Sequence, residues 1–158
     1  MTERVTLSGR GANFFSKRMP GLVNWYSRRQ AEQFEKSDGR KGAKLGGKPI
    51  FRLIVLGRKS GEPHSLMLML VRRGDDLLVC GSKGGSPQAP NWWKNLVAAG
   101  QASVQVGGEK YDVDARVVTE EAERAQAWSL LTAAYPDFAS YQALTERVLP
   151  IAVLSRRA

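Results

Sequence analysis

The chain of 158 residues carries 24 Lys and Arg residues against 15 Asp and Glu residues, which gives a formal net charge of +9 at pH 7. Its length predicts a single domain, and a composition of 42% hydrophobic and 25% charged residues is typical of a folded globular protein and excludes a disordered tail. One cysteine excludes an internal disulfide, and one cysteine with one histidine excludes a Cys/His zinc site, so we expect no metal.

The basic residues are concentrated in the first part of the chain. Residues 1–59 hold 14 basic and 4 acidic side chains, whereas residues 60–158 are close to neutral. This asymmetry favours an anionic partner near that end: a phosphorylated cofactor, nucleic acid or an anionic membrane, with a solvated basic face as the alternative. No apolar run reaches the roughly 20 residues that span a bilayer, and polar residues interrupt the N-terminal segment, so we expect a cytoplasmic protein without a signal peptide.

In chain order, the first predicted unit is the segment of residues 1–35. Aromatic and leucine side chains alternate with basic ones over residues 13–35, which predicts an amphipathic helix interrupted near Pro20 and Gly21. Its apolar face requires a cover, which is the domain core, the mouth of a binding site or a membrane surface. Membrane association through this helix is therefore one interpretation. Residues 36–48, rich in glycine and basic residues, are predicted to form a mobile loop.

The remaining residues, 49–158, are predicted to form the main domain, and their strands are joined as hairpins. Six short runs have strand composition or strand alternation: residues 50–56, 65–71, 77–80, 103–106, 111–118 and 151–154.

Three helices are predicted between and after these strands. They cover residues 90–99, with a proline in the first turn, residues 119–134, with Thr119 as the cap, and residues 137–148, ended by Pro150. Because hairpins and not regular helical crossovers connect the strands, the pattern predicts an α+β fold, namely an antiparallel barrel of about six strands with peripheral helices.

The catalytic motifs that this sequence lacks narrow its chemistry. It contains no G-x-S-x-G, no P-loop and no G-x-G-x-x-G motif, and its histidine lies near no nucleophile that a triad requires. Triad hydrolysis and Rossmann dinucleotide binding are therefore excluded. An enzyme with this sequence would take its reactivity from a bound redox cofactor.

Two glycine-bounded turns and one tryptophan-bearing helix suit such a cofactor. The turns 57–61 and 81–85 each combine basic and hydroxyl side chains with glycines, so that backbone and side-chain donors can converge on one anion. Ordinary hairpin turns are the alternative for each turn alone. The following residues 90–96 contain Trp92 and Trp93, which could hold a planar ring, although neighbouring helix positions cannot both face the same way and at least one indole is expected in the core.

Five sequence blocks together resemble the deazaflavin-dependent nitroreductase family of actinobacteria. They are R-K-S-G-E-P-H (58–64), S-K-G-G (82–85), N-W-W-K-N-L (91–96), Y-P-D-F-A-S-Y (135–141) and R-V-L-P-I-A-V-L (147–154). The resemblance implies a split β-barrel related to flavin mononucleotide-binding oxidoreductases. It also implies coenzyme F-420, an 8-hydroxy-5-deazaflavin with a phosphate and a polyglutamate tail, as the source of a hydride for an electron-poor acceptor such as a quinone, an enone or a nitro compound.

The resemblance further implies a set of site residues. Tyr135 and Tyr141 would border the substrate and donate a proton or hydrogen bond, with solvent as an alternative proton source and buried packing as an alternative role. The cofactor-binding set would be Arg58, Lys59, Ser60, His64, Ser65, Leu66, Met67, Leu68, Met69, Cys80, Gly81, Ser82, Lys83, Asn91, Trp92, Trp93, Lys94, Asn95 and Phe138.

The sequence departs from the family pattern at three of these positions. His64 stands where an arginine is usual, Met67 where a proline is usual, and Phe138 where the nitroreductase has a tyrosine. The first change weakens an anion contact unless the imidazole is protonated. The last change bears on any hydroxyl-dependent handling of nitro substrates.

Two alternative functions remain open at this point. The first is flavin mononucleotide (FMN) use by the same barrel. The second is single-stranded nucleic-acid binding by a basic barrel with surface aromatics, which we do not expect because it leaves the paired glycine turns unexplained. The sequence leaves open the physiological acceptor and whether the protein forms a homo-oligomer.

Overall fold

The computed structural model describes residues 29–158, so the part of the predicted helix 13–35 that precedes residue 29, with its interruption near Pro20 and Gly21, and the segment before it lie outside the described residues. Residues 29–36 are helical (α1), with Ala31 and Phe34 buried at a spacing of three, as an amphipathic helix requires. None of the helices within the described range has both the length and the hydropathy needed to cross a bilayer.

Within residues 29–158, eight strands form one antiparallel sheet. They are β1 (Lys44–Leu45), β2 (Lys48–Leu56), β3 (Pro63–Met69), β4 (Arg72–Arg73), β5 (Asp76–Cys80), β6 (Gln101–Val106), β7 (Glu109–Val117) and β8 (Ile151–Arg156). The six predicted runs correspond to the six longer strands. The two-residue strands β1 and β4 have no counterpart in the sequence prediction, and β1 lies inside the segment predicted to be a loop.

The sheet curls because the continuous segment from β3 to β4 connects the strands at one end of the sheet to those at the other. The strand order is β1-β2-β6-β7-β8-β5-β4, and β3 pairs with β2. β3 follows β2 in antiparallel register from Leu56 opposite Pro63 to Ile50 opposite Met69. The chain then reaches β4, which pairs with β5, and the Leu78 amide donates to the Val71 carbonyl at 2.9 Å. The prediction of an α+β antiparallel barrel is therefore confirmed.

Alternate side chains of the strands form the core inside this barrel. β2 contributes Phe51, Leu53 and Val55, each at most 1% exposed, while Arg52 between them points to the outer face. The other strands contribute at the same two-residue period, and helix α2 (Asn91–Ala99) closes the cluster. The remaining buried members are Leu77, Val79, Trp93, Leu96, Val104, Val113, Ala152 and Leu154.

A second core lies on the outer face of β5 and β8. Here Leu78, Cys80, Ile151 and Val153 pack against helix α3 (Glu121–Ala134) and helix α4 (Asp137–Ala143). The same two strands therefore bury both faces, one against the barrel interior and one against the helices.

Two details of the helix prediction are wrong. Helix α4 ends at Ala143 and not at residue 148, because the Gln142 side chain satisfies the following backbone: its amide nitrogen donates to the Arg147 carbonyl at 2.8 Å, and its oxygen accepts from the Leu149 amide at 2.9 Å. Helix α3 is capped by Glu120 and not by Thr119, because the Glu120 carboxylate accepts from the amides two and three residues later.

Candidate functional site

A cavity of about 510 Å³ opens between the β2–β3 turn, the beginning of β3 and helix α2. All of its lining residues except Gly57 belong to the cofactor-binding set expected from the sequence. The lining residues are Gly57, Arg58, Lys59, Ser60, His64, Ser65, Leu66, Asn91, Trp92 and Asn95. The first glycine-bounded turn and the tryptophan-bearing helix therefore meet at one place.

The turn 57–61 is tight, and its shape depends on Gly57. The Gly57 amide donates to the Glu62 carbonyl at 2.8 Å, and the Gly61 amide donates to the Gly57 carbonyl at 2.9 Å. A Cβ at position 57 would lie 2.5 Å from Ser60 Oγ and 2.8 Å from His64 Nε2. Glycine at this position therefore lets the hydroxyl and the imidazole approach the backbone at the cavity wall.

Helix α2 holds this turn through one buried amide. The Asn95 Oδ1 atom accepts from the backbone amide of Arg58 at 3.1 Å and from its guanidinium Nη1 at 2.8 Å, and Asn95 is 8% exposed. The acceptor is neutral, so it orients the guanidinium without cancelling its charge. Among residues 29–158, neither Arg58 nor Lys59 forms an ion pair.

The two tryptophans of α2 point in different directions, as their neighbouring helix positions require. Trp92 is half-buried and lines the cavity, whereas Trp93 is buried in the barrel core. Their rings meet edge to face, with centroids 5.9 Å apart and planes at 81°. Asn91 also lines the cavity, and Lys94 lies exposed outside its lining.

Strand β3 contributes its first residues to the cavity and its later ones to packing. His64, Ser65 and Leu66 line the cavity, and Leu68 packs into the barrel core together with Leu66. Met69 packs against the second core, and Met67 lies opposite Arg52 in the β2–β3 register. Met67, Leu68 and Met69 therefore lie outside the cavity lining.

Arg52 is a buried cation beside this strand that the sequence reasoning missed. Its Nη2 atom donates to Ser65 Oγ at 2.8 Å and lies 3.0 Å from the Glu35 carboxylate of α1. Its Nη1 atom lies 3.5 Å from the Gln105 side-chain oxygen, whereas its Nε atom and the Gln105 amide nitrogen have no hydrogen-bond partner among the described residues 29–158. The strand alternation could have located it, since a basic residue inside the buried β2 run must face outward and needs a partner.

The second glycine-bounded turn packs behind α2 and does not line the cavity. A Cβ on Gly81 would lie 2.9 Å from the Trp93 ring, so this glycine allows close packing. Ser82 and Lys83 continue the turn, and Lys83 has a φ of +45°, an unusual conformation for a residue with a side chain. Cys80 before the turn is buried in the second core, and this burial raises the pKa of its thiol to about 12. The thiol is therefore not a nucleophile at neutral pH.

Arg147 holds the second turn in place, another role that the sequence reasoning did not assign. Its guanidinium donates to the carbonyl oxygens of Ser86 at 2.8 Å, Gly81 at 3.1 Å and Ser82 at 2.9 Å. The arginine comes from the segment after α4, more than sixty positions along the chain. The sequence signal that could have indicated this role is that Arg147 belongs to one of the five blocks that resemble the family.

The three aromatic residues expected near the substrate form a cluster on and before α4. The hydroxyls of Tyr135 and Tyr141 are 3.2 Å apart, and the Phe138 ring lies edge to face with the Tyr135 ring at 5.1 Å. Burial, together with the hydrogen bond to Tyr135, raises the pKa of Tyr141 well above its ordinary value, so this phenol stays protonated. The cluster packs in the second core and lies outside the cavity lining. Helix α4 nevertheless packs closely on the second turn, because a Cβ on Gly85 would lie 2.4 Å from the Tyr141 carbonyl.

The residues at the cavity fit an anionic ligand with a planar part. Turn 57–61 and β3 contribute two cationic side chains, two hydroxyls and an imidazole, and α2 contributes the Trp92 ring and two asparagine amides. Such donors suit a phosphate, and an indole face suits a ring system. A deazaflavin that carries a phosphate has both features.

Comparison with known proteins identifies the family. The family model for F-420H(2)-dependent quinone reductases matches residues 25–156. An F-420H(2)-dependent quinone reductase of Mycobacterium tuberculosis is 32% identical over 124 residues, which are 77% of this chain and 83% of that protein.

Two solved structures agree with this match. One, described as a domain-swapped dimer, is 32% identical, covers 85% of this chain and 100% of its own, and has a TM-score of 0.66. The other, an F-420-H2-dependent reductase, is 36% identical, covers 68% of this chain and 94% of its own, and has a TM-score of 0.63. The chain therefore belongs to the F-420H(2)-dependent quinone reductases, a family of oxidoreductases with coenzyme F-420 as cofactor.

Proposed function

We propose that this chain reduces a quinone with a hydride from coenzyme F-420 bound at the cavity between turn 57–61 and helix α2. The observation that carries the proposal is the meeting of two cations that form no ion pair within residues 29–158, Arg58 and Lys59, with an indole and two amides around one cavity. Reduced deazaflavin supplies the hydride when it is bound. The protein contributes binding, orientation and electrostatics.

The positive side of the cavity is proposed to bind the phosphate. Arg58 is oriented by Asn95, so its remaining N–H groups are available to an anion, and Lys59 adds a second charge. Ser60 provides a hydroxyl next to them. Because these groups are partly exposed, each charge contributes little alone, and the affinity depends on several donors converging on one anion.

The opposite side is proposed to hold the ring. Trp92 presents an aromatic surface from the exposed face of α2, while Asn91 and Asn95 provide polar groups for a ring edge. Trp93 supports Trp92 from the core by its edge-to-face contact. The ring-binding residues are thus fixed by a helix that is anchored in the barrel.

From the family resemblance, the aromatic cluster is proposed to act on the acceptor from its place beside the second turn, outside the cavity lining. Tyr141 remains protonated at neutral pH, and its hydrogen bond with Tyr135 links two hydroxyls that can donate to an oxygen that gains negative charge. Tyr135 is the less buried of the two tyrosines. Phe138 cannot donate a hydrogen bond, so we expect quinones to be reduced better than nitro compounds that need a third hydroxyl. Reduction of activated enones is proposed on the same chemistry.

Two further roles are proposed from the sequence and the relatives. The exposed basic residues of the segment 36–48 steer the polyglutamate tail toward the protein, a long-range effect that salt weakens. Since one solved relative is a domain-swapped dimer, a homo-oligomer is the second proposal, and light scattering of the purified chain tests it.

A titration tests the proposed function directly. Purified protein is titrated with oxidised coenzyme F-420 while the deazaflavin fluorescence is followed, and with FMN in a parallel experiment. The double variant Arg58→Ala/Lys59→Ala is expected to lose most of the affinity, whereas Lys110→Ala, which removes an exposed cation of β7, is expected to keep it. Oxidation of the reduced cofactor by a quinone then measures turnover. Binding of FMN without binding of coenzyme F-420 would contradict the proposal.

A further inference from the structure

His64 is the one histidine of the chain, and it lies at the wall of the cavity. It occupies the second position of β3, opposite Val55 in the β2–β3 register, and its side chain is exposed. Histidine is the side chain whose ordinary pKa places its charge change between about pH 5 and 8. A ligand in this cavity therefore meets a group whose charge depends on pH.

The geometry places the imidazole beside the two cations of turn 57–61. Its Nε2 atom lies 3.5 Å from Ser60 Oγ, and the missing Cβ of Gly57 leaves room for the ring against the backbone. Arg58, Lys59 and Ser60 line the same cavity as His64. An anion that Arg58 and Lys59 hold is therefore close enough to the imidazole to interact with its charge.

The charged groups around His64 determine whether a lower pH is expected to strengthen or to weaken anion binding. The turn contributes the cations Arg58 and Lys59 and one carboxylate, Glu62, while the three residues that α2 contributes to the cavity lining, Asn91, Trp92 and Asn95, are all uncharged. β2 contributes the apolar Val55 opposite His64. Without a ligand, protonation of His64 adds a third positive charge next to two others. A bound anion offsets that repulsion, so binding and protonation favour each other.

We propose that His64 is a proton-dependent determinant of cofactor affinity, which tightens the binding of the anionic part of the deazaflavin as the pH falls. The neutral ring offers at most one N–H donor, and the protonated ring offers two donors and a full charge. This inference rests on the proposed function, because it requires coenzyme F-420 to bind at this cavity.

The test measures the dissociation constant of oxidised coenzyme F-420 by fluorescence at about pH 5.5 and about pH 8, toward the two ends of the range in which histidine side chains ordinarily change charge. The wild type is compared with His64→Gln and His64→Arg at constant ionic strength. The change in the ligand's own ionisation between the two pH values is the same for all three proteins, so it cancels when their affinities are compared. Relative to His64→Gln, the wild type is expected to gain roughly three- to fivefold in affinity at the lower pH, the range of one partly exposed charge pair. His64→Arg is expected to bind at least as tightly as the wild type at both pH values.

A second measurement observes the imidazole itself. Because the chain has a single histidine, its ring protons give one titrating set of NMR signals. Saturation with coenzyme F-420 is expected to raise the midpoint of this titration, as reciprocal coupling requires. Far-ultraviolet circular dichroism verifies that each variant is folded.

The possible outcomes separate the two proposals. Binding with the same pH dependence in the wild type and in His64→Gln, or an unchanged NMR midpoint at saturation, refutes the role of His64 and leaves the proposed function intact. Absence of coenzyme F-420 binding in all three folded proteins refutes both proposals. A selective gain in the wild type at low pH, with the midpoint raised, supports the inference.

Discussion

Asn95 is the residue whose replacement tests most directly how the cavity is built. It is 8% exposed, and its single oxygen accepts both the backbone amide and the guanidinium of Arg58. Asn95→Ala removes both hydrogen bonds at once. We expect this variant to lose stability and cofactor affinity together, because the same atom joins turn 57–61 to α2.

The magnitude follows from the two hydrogen bonds. A bond from a neutral amide contributes about 1 kcal/mol to stability, and a bond from a charged donor contributes about 1.5–3 kcal/mol. Since Arg58 is exposed and its guanidinium can turn toward water, most of the second contribution is recovered. The free energy of unfolding is therefore expected to fall by about 1.5–2 kcal/mol, a substantial part of the 5–15 kcal/mol typical of a domain.

Urea unfolding followed by tryptophan fluorescence measures this loss, and a titration with coenzyme F-420 measures the affinity. Asn91→Ala is the matched control, since Asn91 lines the same cavity from an exposed position on the same helix. Its stability is expected to stay within about 0.5 kcal/mol of the wild type. If Asn95→Ala is as stable as this control, the reasoning that Asn95 anchors the turn is refuted.

Three further predictions concern the parts of the protein around the cavity. In urea unfolding, Gly85→Ala is expected to lower the free energy of unfolding by more than about 1 kcal/mol beyond the effect of Gly74→Ala. Both glycines have a positive φ, but a Cβ at position 85 would lie 2.4 Å from the Tyr141 carbonyl, whereas position 74 is open. Arg147→Met is expected to accelerate amide hydrogen exchange in the second turn, where the guanidinium donates to the carbonyls of Gly81 and Ser82, and unchanged exchange would contradict that role. Glu123 accepts hydrogen bonds from Arg116 and Arg73, which lower the pKa of its carboxyl from 4.5 to about 2. The stability that the Glu123 carboxylate contributes is therefore complete above about pH 4.5 and lost as the pH falls through 2. The difference in stability between the wild type and Glu123→Gln is expected to disappear over that interval.

The barrel could be predicted from the sequence because its signals are local. The run rich in β-branched, leucine and aromatic residues over 50–56 marks β2, and Gly107 with Gly108 marks the hairpin between β6 and β7. Each of these patterns depends only on residues a few positions apart. The resemblance of five blocks then led to the family, which the family model confirms.

The parts that could not be predicted depend on residues far apart in the chain. Nothing near Gly81 indicates that Arg147 will bind its carbonyl, and nothing near Arg52 indicates Glu35 as its partner. The early end of α4 has the same cause, because the Gln142 side chain competes with the helix for the backbone that follows it. Propensity and capping rules describe the local chain, and such side chains override them.

The two glycine-bounded turns illustrate why similar sequences receive different roles. In turn 57–61, a neutral acceptor from α2 orients Arg58, so that its positive charge remains directed to the cavity. In the second turn, the carbonyls of Gly81 and Ser82 instead accept from the guanidinium of Arg147, and the glycine packs against Trp93. The first turn therefore supplies charge to the cavity, and the second fixes the helix on which Trp92 stands. The proposed binding of an anionic, planar cofactor would use both contributions, although only one of the turns lines the cavity.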